Sequence, residues 1–96
     1  MVRLSNIEID ILKNNIYIID NNAEIYIFGS RAIENKKGGD IDILIISKII
    51  NRIDKRKIKL AFFKEFGEQK LDIILEKNIN NLSEFSKNII EKAIQI

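Results

Sequence analysis

Three short runs of β-branched and aromatic residues constrain this chain most. They are AEIYIF (23–28), DIDILII (40–46) and QKLDIILE (69–76). Each has the length and composition of a strand. In the first run, Ile25 and Ile27 share one face while Tyr26 and Phe28 share the other. A strand with two apolar faces needs cover on both sides, so it belongs inside a sheet flanked by helices. The stretches between the runs supply helices. Ser5 and Glu8 have capping-box spacing ahead of Ile7, Ile11, Leu12, Ile16 and Ile19, which predicts a helix over 5–19. Asp20, Asn21 and Asn22 break it. A second, short helix is expected to open at Ser30–Ile33, after Gly29, and the polar segment Glu34–Gly39 connects it to the next strand. A long amphipathic helix is predicted over 50–66, with Ile50, Ile53, Ile58, Ala61, Phe62 and Phe66 inward and Gly67 as its C-terminal cap. After a loop over 78–81, Asn81 and Glu84 repeat the capping spacing. Leu82, Phe85, Ile89, Ile90 and Ala93 predict a final helix, whose apolar pattern continues through Ile94 and Ile96. The order is α-β-α-β-α-β-α. The fold class is a small α/β (α+β) domain, a mixed sheet of at least three strands packed with about four helices, filling residues 1–96 as a single domain. A chain of this size buries about two-thirds of its surface on folding, enough for a modest core.

Composition narrows the chemistry. The chain has no cysteine and no histidine. Thiolate nucleophiles, disulfides, imidazole bases and Cys- or His-based zinc sites are therefore excluded. Catalysis must rest on carboxylates, hydroxyls, Lys, Arg, backbone amides or bound metal ions. The net charge of +2 is weak evidence for a polyanionic partner, but its distribution is uneven. Lys48, Arg52, Lys55, Arg56, Lys57, Lys59 and Lys64 are opposed only by Asp54, a local charge of about +6. No apolar run approaches the ~20 residues of a membrane span. The start, MVRLSNIEID, lacks the apolar segment of a secretion signal, so a cytoplasmic setting without membrane association is expected.

Asp40 and Asp42 stand two apart in a predicted strand and share a face, with Ile41 on the other. Adjacent carboxylates repel unless a cation joins them, and oxygen donors suit Mg²⁺. Taken alone, the pair is better read as the start of an exposed strand than as a metal site. Asp72 adds a third acid inside another apolar strand, where a carboxylate must face the surface, be paired or bind metal. Three acids on two adjacent strands make a candidate two-metal site for phosphoryl chemistry. Gly29 and Ser30 sit between a strand and a short helix, a turn whose amides suit a phosphate, and Arg31 follows. No GxxxxGK[ST] pattern is present, so this turn is not a P-loop.

The segment FGSRA…GGDIDILI, Phe28 to Ile46, together with Asp72 in EQKLDIIL, resembles the nucleotidyltransferase superfamily that includes DNA polymerase beta. It is most similar to the minimal nucleotidyltransferases, and the resemblance covers residues 5–76. It implies that Gly29 and Ser30 contact the triphosphate of ATP or another NTP; Arg31, next in the chain, suits a phosphate contact or a solvated structural role equally. It implies that Asp40 and Asp42 bind two Mg²⁺ ions, and that Asp72 binds the catalytic one and helps activate the attacking hydroxyl. This chain departs from many members in having GSRAIEN, with Glu34 in place of a glycine, and Gly39 rather than serine before Asp40. The resemblance also implies a small all-helical partner of the HEPN class, which would receive AMP on a hydroxyl, with this chain acting as antitoxin. A homodimer is a further expectation. The alternative reading is an antitoxin that neutralises its partner by occlusion, with weak or absent catalysis. Direct nucleic-acid binding through the basic helix is disfavoured by the low net charge and the lack of interleaved aromatics. Lys55, Arg56 and Lys59 suit the steering of a nucleotide or an acidic partner.

Overall fold

A computed structural model describes residues 4–29, 40–67 and 70–96. Its sheet is built from β1 (Glu24–Phe28), β2 (Ile41–Ile46), β3 (Leu71–Glu76) and β4 (Ile94–Gln95), in the spatial order β3-β2-β1-β4. β1 runs antiparallel to both β2 and β4, and β3 is parallel to β2, so the sheet is mixed. Among the described residues three α-helices accompany it, α1 (Asn6–Ile19), α2 (Arg52–Phe66) and α3 (Glu84–Ile90). The expected short helix from Ser30 to Ile33, the connection through Gly39, and Gln69 at the head of the third run lie outside the described residues.

Period-two alternation sorts the sheet into two faces. Ile41, Ile43 and Ile45 of β2 join Ile25, Ile27, Leu71 and Ile73 in a core with Leu12 and Ile16 of α1 and Ile58 and Phe62 of α2. Leu75 packs against the same core, so Asp72, Ile74 and Glu76 of β3 belong to the opposite face. There α3 is fastened. Glu76 Oε2 accepts hydrogen bonds from Ser83 Oγ at 2.9 Å and from the buried Ser86 Oγ. Leu44, on that same face of β2, is fully buried. The sheet is thus covered by α1 and α2 on one side and in part by α3 on the other, as a strand with two apolar faces requires.

The helix ends follow local chemistry. The Ser5–Glu8 capping box forms as the spacing predicts, with Glu8 N–H donating to Ser5 Oγ at 3.1 Å and Ser5 N–H to Glu8 Oε1 at 3.0 Å. α2 begins two residues later than predicted because Asn51 and Asp54 form a second reciprocal box. Gly67 ends it at φ +80°, its N–H bonded to Phe63 O at 2.8 Å. Ile53, expected inward, is 69% exposed. It lies five residues from Ile58, about 140° around the helix from the buried stripe. Asp20 is more than a break. It is buried and accepts from Ser47 Oγ at 2.5 Å and from Asn22 N–H at 2.9 Å, tying the end of α1 to the end of β2.

The C-terminal region departs most from expectation. Asn78 caps a 3-10 turn at Ile79–Asn81, and Ser83, not Asn81, caps α3. Phe85, expected inward, is 62% exposed. The chain then leaves the helix, and Ile94 and Gln95 pair with Ile27 and Tyr26. Ile96 N–H donates to Ile25 O at 2.9 Å. Ile94 and Ile96 suit a strand as well as a helix. Pairing satisfies the backbone edge that β1 would otherwise leave open, and this outweighs two more helical turns.

The Glu76 carboxyl titrates below its ordinary value, first because of the Ser86 hydroxyl and further because of Ser83, with burial opposing. Its contribution to stability is therefore fully present above the unfolded value near 4.5 and is lost as pH falls through the lower folded value. Thermal melts should show Ser86→Ala destabilised at pH 7, with the difference from the parent shrinking on acidification through that range. A pH-independent difference would show that the bond to Glu76 is not its source.

Candidate active site

The parallel pairing of β2 with β3 opens where Ile41 N–H meets Lys70 O at 3.0 Å. From that start the register is fixed. Ile41 pairs with Leu71, Asp42 with Asp72, and Ile43 with Ile73. Because Ile41, Ile43, Leu71 and Ile73 enter the core, Asp42 and Asp72 both project on the other face, beside one another. On its other flank Asp42 pairs with Phe28, so the turn at Gly29 passes directly over it. Gly29 has φ +70°, and a Cβ built there would collide with Asp42 Oδ2 and lie 3.3 Å from its Cγ. Glycine is required here both for backbone conformation and for space.

These surroundings act on Asp42. Its carboxyl titrates above the ordinary range, first because of burial, then because of the negative charge of Asp72 and of Asp40. A hydrogen bond to Asp72 holds the proton further, while Lys70 works in the opposite direction. The pair resembles two carboxylates sharing one site, an arrangement that either retains a proton or takes a cation. Its donors are all oxygen, which fits a hard divalent ion such as Mg²⁺.

Asp40 immediately precedes β2 and is exposed, close enough for its charge to act on Asp42. Its Oδ2 is ion-paired with Lys70 Nζ at 3.4 Å. Among the described residues no group of three acidic side chains is gathered so as to hold a metal ion. Ser30 and Arg31 lie outside the described residues. Lys70 belongs to no motif, and only its position two residues before Asp72 would have pointed to it.

A cavity of about 460 Å³ lies at the other end of the strands, lined by Asp20, Ser47, Lys48, Lys77 and Asn78 among others. Its buried polar groups are already used. Ser47 Oγ bonds Asp20 and accepts from the amides of Ile49 and Ile50, so the buried serine and aspartate satisfy one another. The chemical candidate is the carboxylate pair.

A family model described as a nucleotidyltransferase domain matches residues 7–96. The match spans the strands, helices and acids described above. No curated protein sequence matches the chain.

The collision at Gly29 gives a direct test of the geometry. Gly29→Ala should destabilise the fold by more than about 1 kcal/mol, since alanine at positive φ is strained even before the collision. Part of that loss should disappear in an Asp42→Ala background, because the collision is with that side chain. Denaturant melts of the double-mutant cycle would read it. Strict additivity would mean that Gly29 and Asp42 do not meet.

Proposed function

The chain belongs to the nucleotidyltransferase domain family, and from that premise we propose that it is a Mg²⁺-dependent transferase that moves a nucleoside monophosphate, AMP from ATP, to a hydroxyl acceptor. The observation that carries this reading is the in-register pairing of Asp42 with Asp72 beneath the Gly29 turn. Asp42 and Asp72, with Asp40 alongside, would hold the metal ions. When bound, these supply charge neutralisation at the attacking and leaving oxygens. Gly29, followed by Ser30 and Arg31, holds the triphosphate against the acid pair. Asp72 orients the acceptor hydroxyl and takes its proton as the new oxygen–phosphorus bond forms. The bond between the α- and β-phosphates breaks, and pyrophosphate leaves.

The acceptor in this reading is a tyrosine hydroxyl of a small all-helical partner of the HEPN class, with this chain as antitoxin. That part is supported by the resemblance carried by FGSRA…GGDIDILI. A second reading keeps the partner but not the chemistry, with neutralisation by occlusion. The ion pair of Asp40 with Lys70, which sets a lysine beside the acids, favours it.

The experiment incubates the protein with Mg²⁺, each α-labelled NTP in turn and a cell extract or a co-expressed helical partner. Label should appear on a protein, with ATP as donor. Asp42→Asn and Asp72→Asn should each reduce it at least about 100-fold, since loss of metal-centred charge stabilisation is worth several kcal/mol. Transfer at the parental rate in either variant would contradict the assigned roles. A partner that binds without ever acquiring label would establish the second reading.

A further inference from the structure

We propose that the outward face of α2 is a docking surface for an amphipathic helix of another protein, one whose apolar seam is bordered by carboxylates. Two large aliphatic side chains lie on this face in solvent, Ile53 at 69% and Leu60 at 55% exposure. They are seven residues apart, about 10.5 Å along the axis and on one line of the helix. That is the spacing of successive a positions in a heptad. Taking them so, the bordering e positions are Lys57 and Lys64 and the bordering g positions are Arg52 and Lys59. Arg56 fills the intervening d position. From Arg52 to Lys64 every e and g position of the seam is a cation; the second d position is Phe63 and the next g is Phe66.

Two further observations bear on the surface. The described salt bridges join Lys70 to Asp40 and Lys87 to Glu84, and none involves these α2 cations. Arg52, Lys55, Arg56 and Lys59 also line a shallow cleft of about 220 Å³. Helix stability accounts for Lys64, in the last turn, but not for the cations of the first turns. Arg52 and Lys55 stand in the first turns after the Asn51 cap, where the helix dipole disfavours positive charge.

Charge and apolar pattern together select the occupant. Heptad partners are chosen by their e and g residues, and an all-basic border calls for an acidic one. A second copy of α2 would set cation against cation, so self-association through this face is opposed. A nucleic-acid backbone would satisfy the lysines and arginines but leave Ile53 and Leu60 in water, and no aromatic side chain stands between them for base stacking. An acidic amphipathic helix satisfies both features. The proposal does not rest on nucleotide transfer, since the surface contains none of the acids of the candidate site.

The test is equilibrium binding to the full chain, read by fluorescence anisotropy at low and at physiological salt. Three labelled probes of equal charge are compared. They are a peptide of about three heptads with Leu at a and d and Glu at e and g, the same composition permuted to destroy the seam, and a single-stranded oligoadenylate RNA. The seamed peptide should bind at least tenfold more tightly than either control. Ile53→Ser with Leu60→Ser should erase that advantage. Lys57→Glu with Lys64→Glu should weaken the seamed peptide tenfold or more and favour a probe with Lys at the matching positions. Asp42→Asn should bind as the parent does, which separates this surface from the candidate active site. Equal binding of the permuted peptide, tighter binding of the RNA, indifference to the Ile53 and Leu60 substitutions, or no binding at low salt would each overturn the proposal.

Discussion

The register between β2 and β3 is the constraint on which the rest of the structure depends. Ile41 opposite Leu71 and Ile43 opposite Ile73 place four aliphatic side chains against α1 and α2. The same register necessarily sets Asp42 beside Asp72. A slip of one residue on either strand would drive a carboxylate into the layer of Leu12, Ile16 and Phe62 and turn isoleucines outward. Burying that charge unpaired costs several kcal/mol, so the core enforces the position of the acids. The carboxylate pair is unfavourable in itself. It is held because the apolar face behind it is worth more.

The neighbouring features can be read as responses to that crowding. Gly29 gives up a side chain so that its backbone can pass over Asp42. Lys70, at the mouth of β3, pairs with Asp40 and moderates the field at Asp42. Farther along the same face of β3, Glu76 receives the hydroxyls of Ser83 and Ser86, and α3 is held over that end of the sheet. One strand face thus carries the acid of the candidate site at one end and the anchor of its covering helix at the other.

Much of this was legible in the sequence because the relevant signals are periodic. The strand runs, the Ser5 and Gly67 caps, and the shared orientation of Asp42 and Asp72 follow from period two and from capping chemistry. What was not legible depended on competition or on phase. Ile94 and Ile96 fit a helix or a strand, and only the open edge of β1 decides for the strand. Ile53 and Phe85 are apolar residues whose exposure is set by which neighbours reach the core first. The ion pair of Asp40 with Lys70 was not legible either, because Lys70 arrives from a distant part of the chain. Sequence spacing conveys which residues share a face, and much less about where a strand begins.

The proposed function requires Asp42 and Asp72 to act as one cation-binding pair on the face beneath Gly29. The most direct measurement is a titration of the isotopically labelled protein with substoichiometric Mn²⁺, following amide NMR signals. The account expects the signals of Gly29, Asp42 and Asp72 to broaden first and together, while those of Glu76 and the Asp20–Ser47 junction at the far end of the strands stay sharp. Mg²⁺ should reverse the broadening. Broadening centred elsewhere, or reaching Asp42 without Asp72, would contradict it.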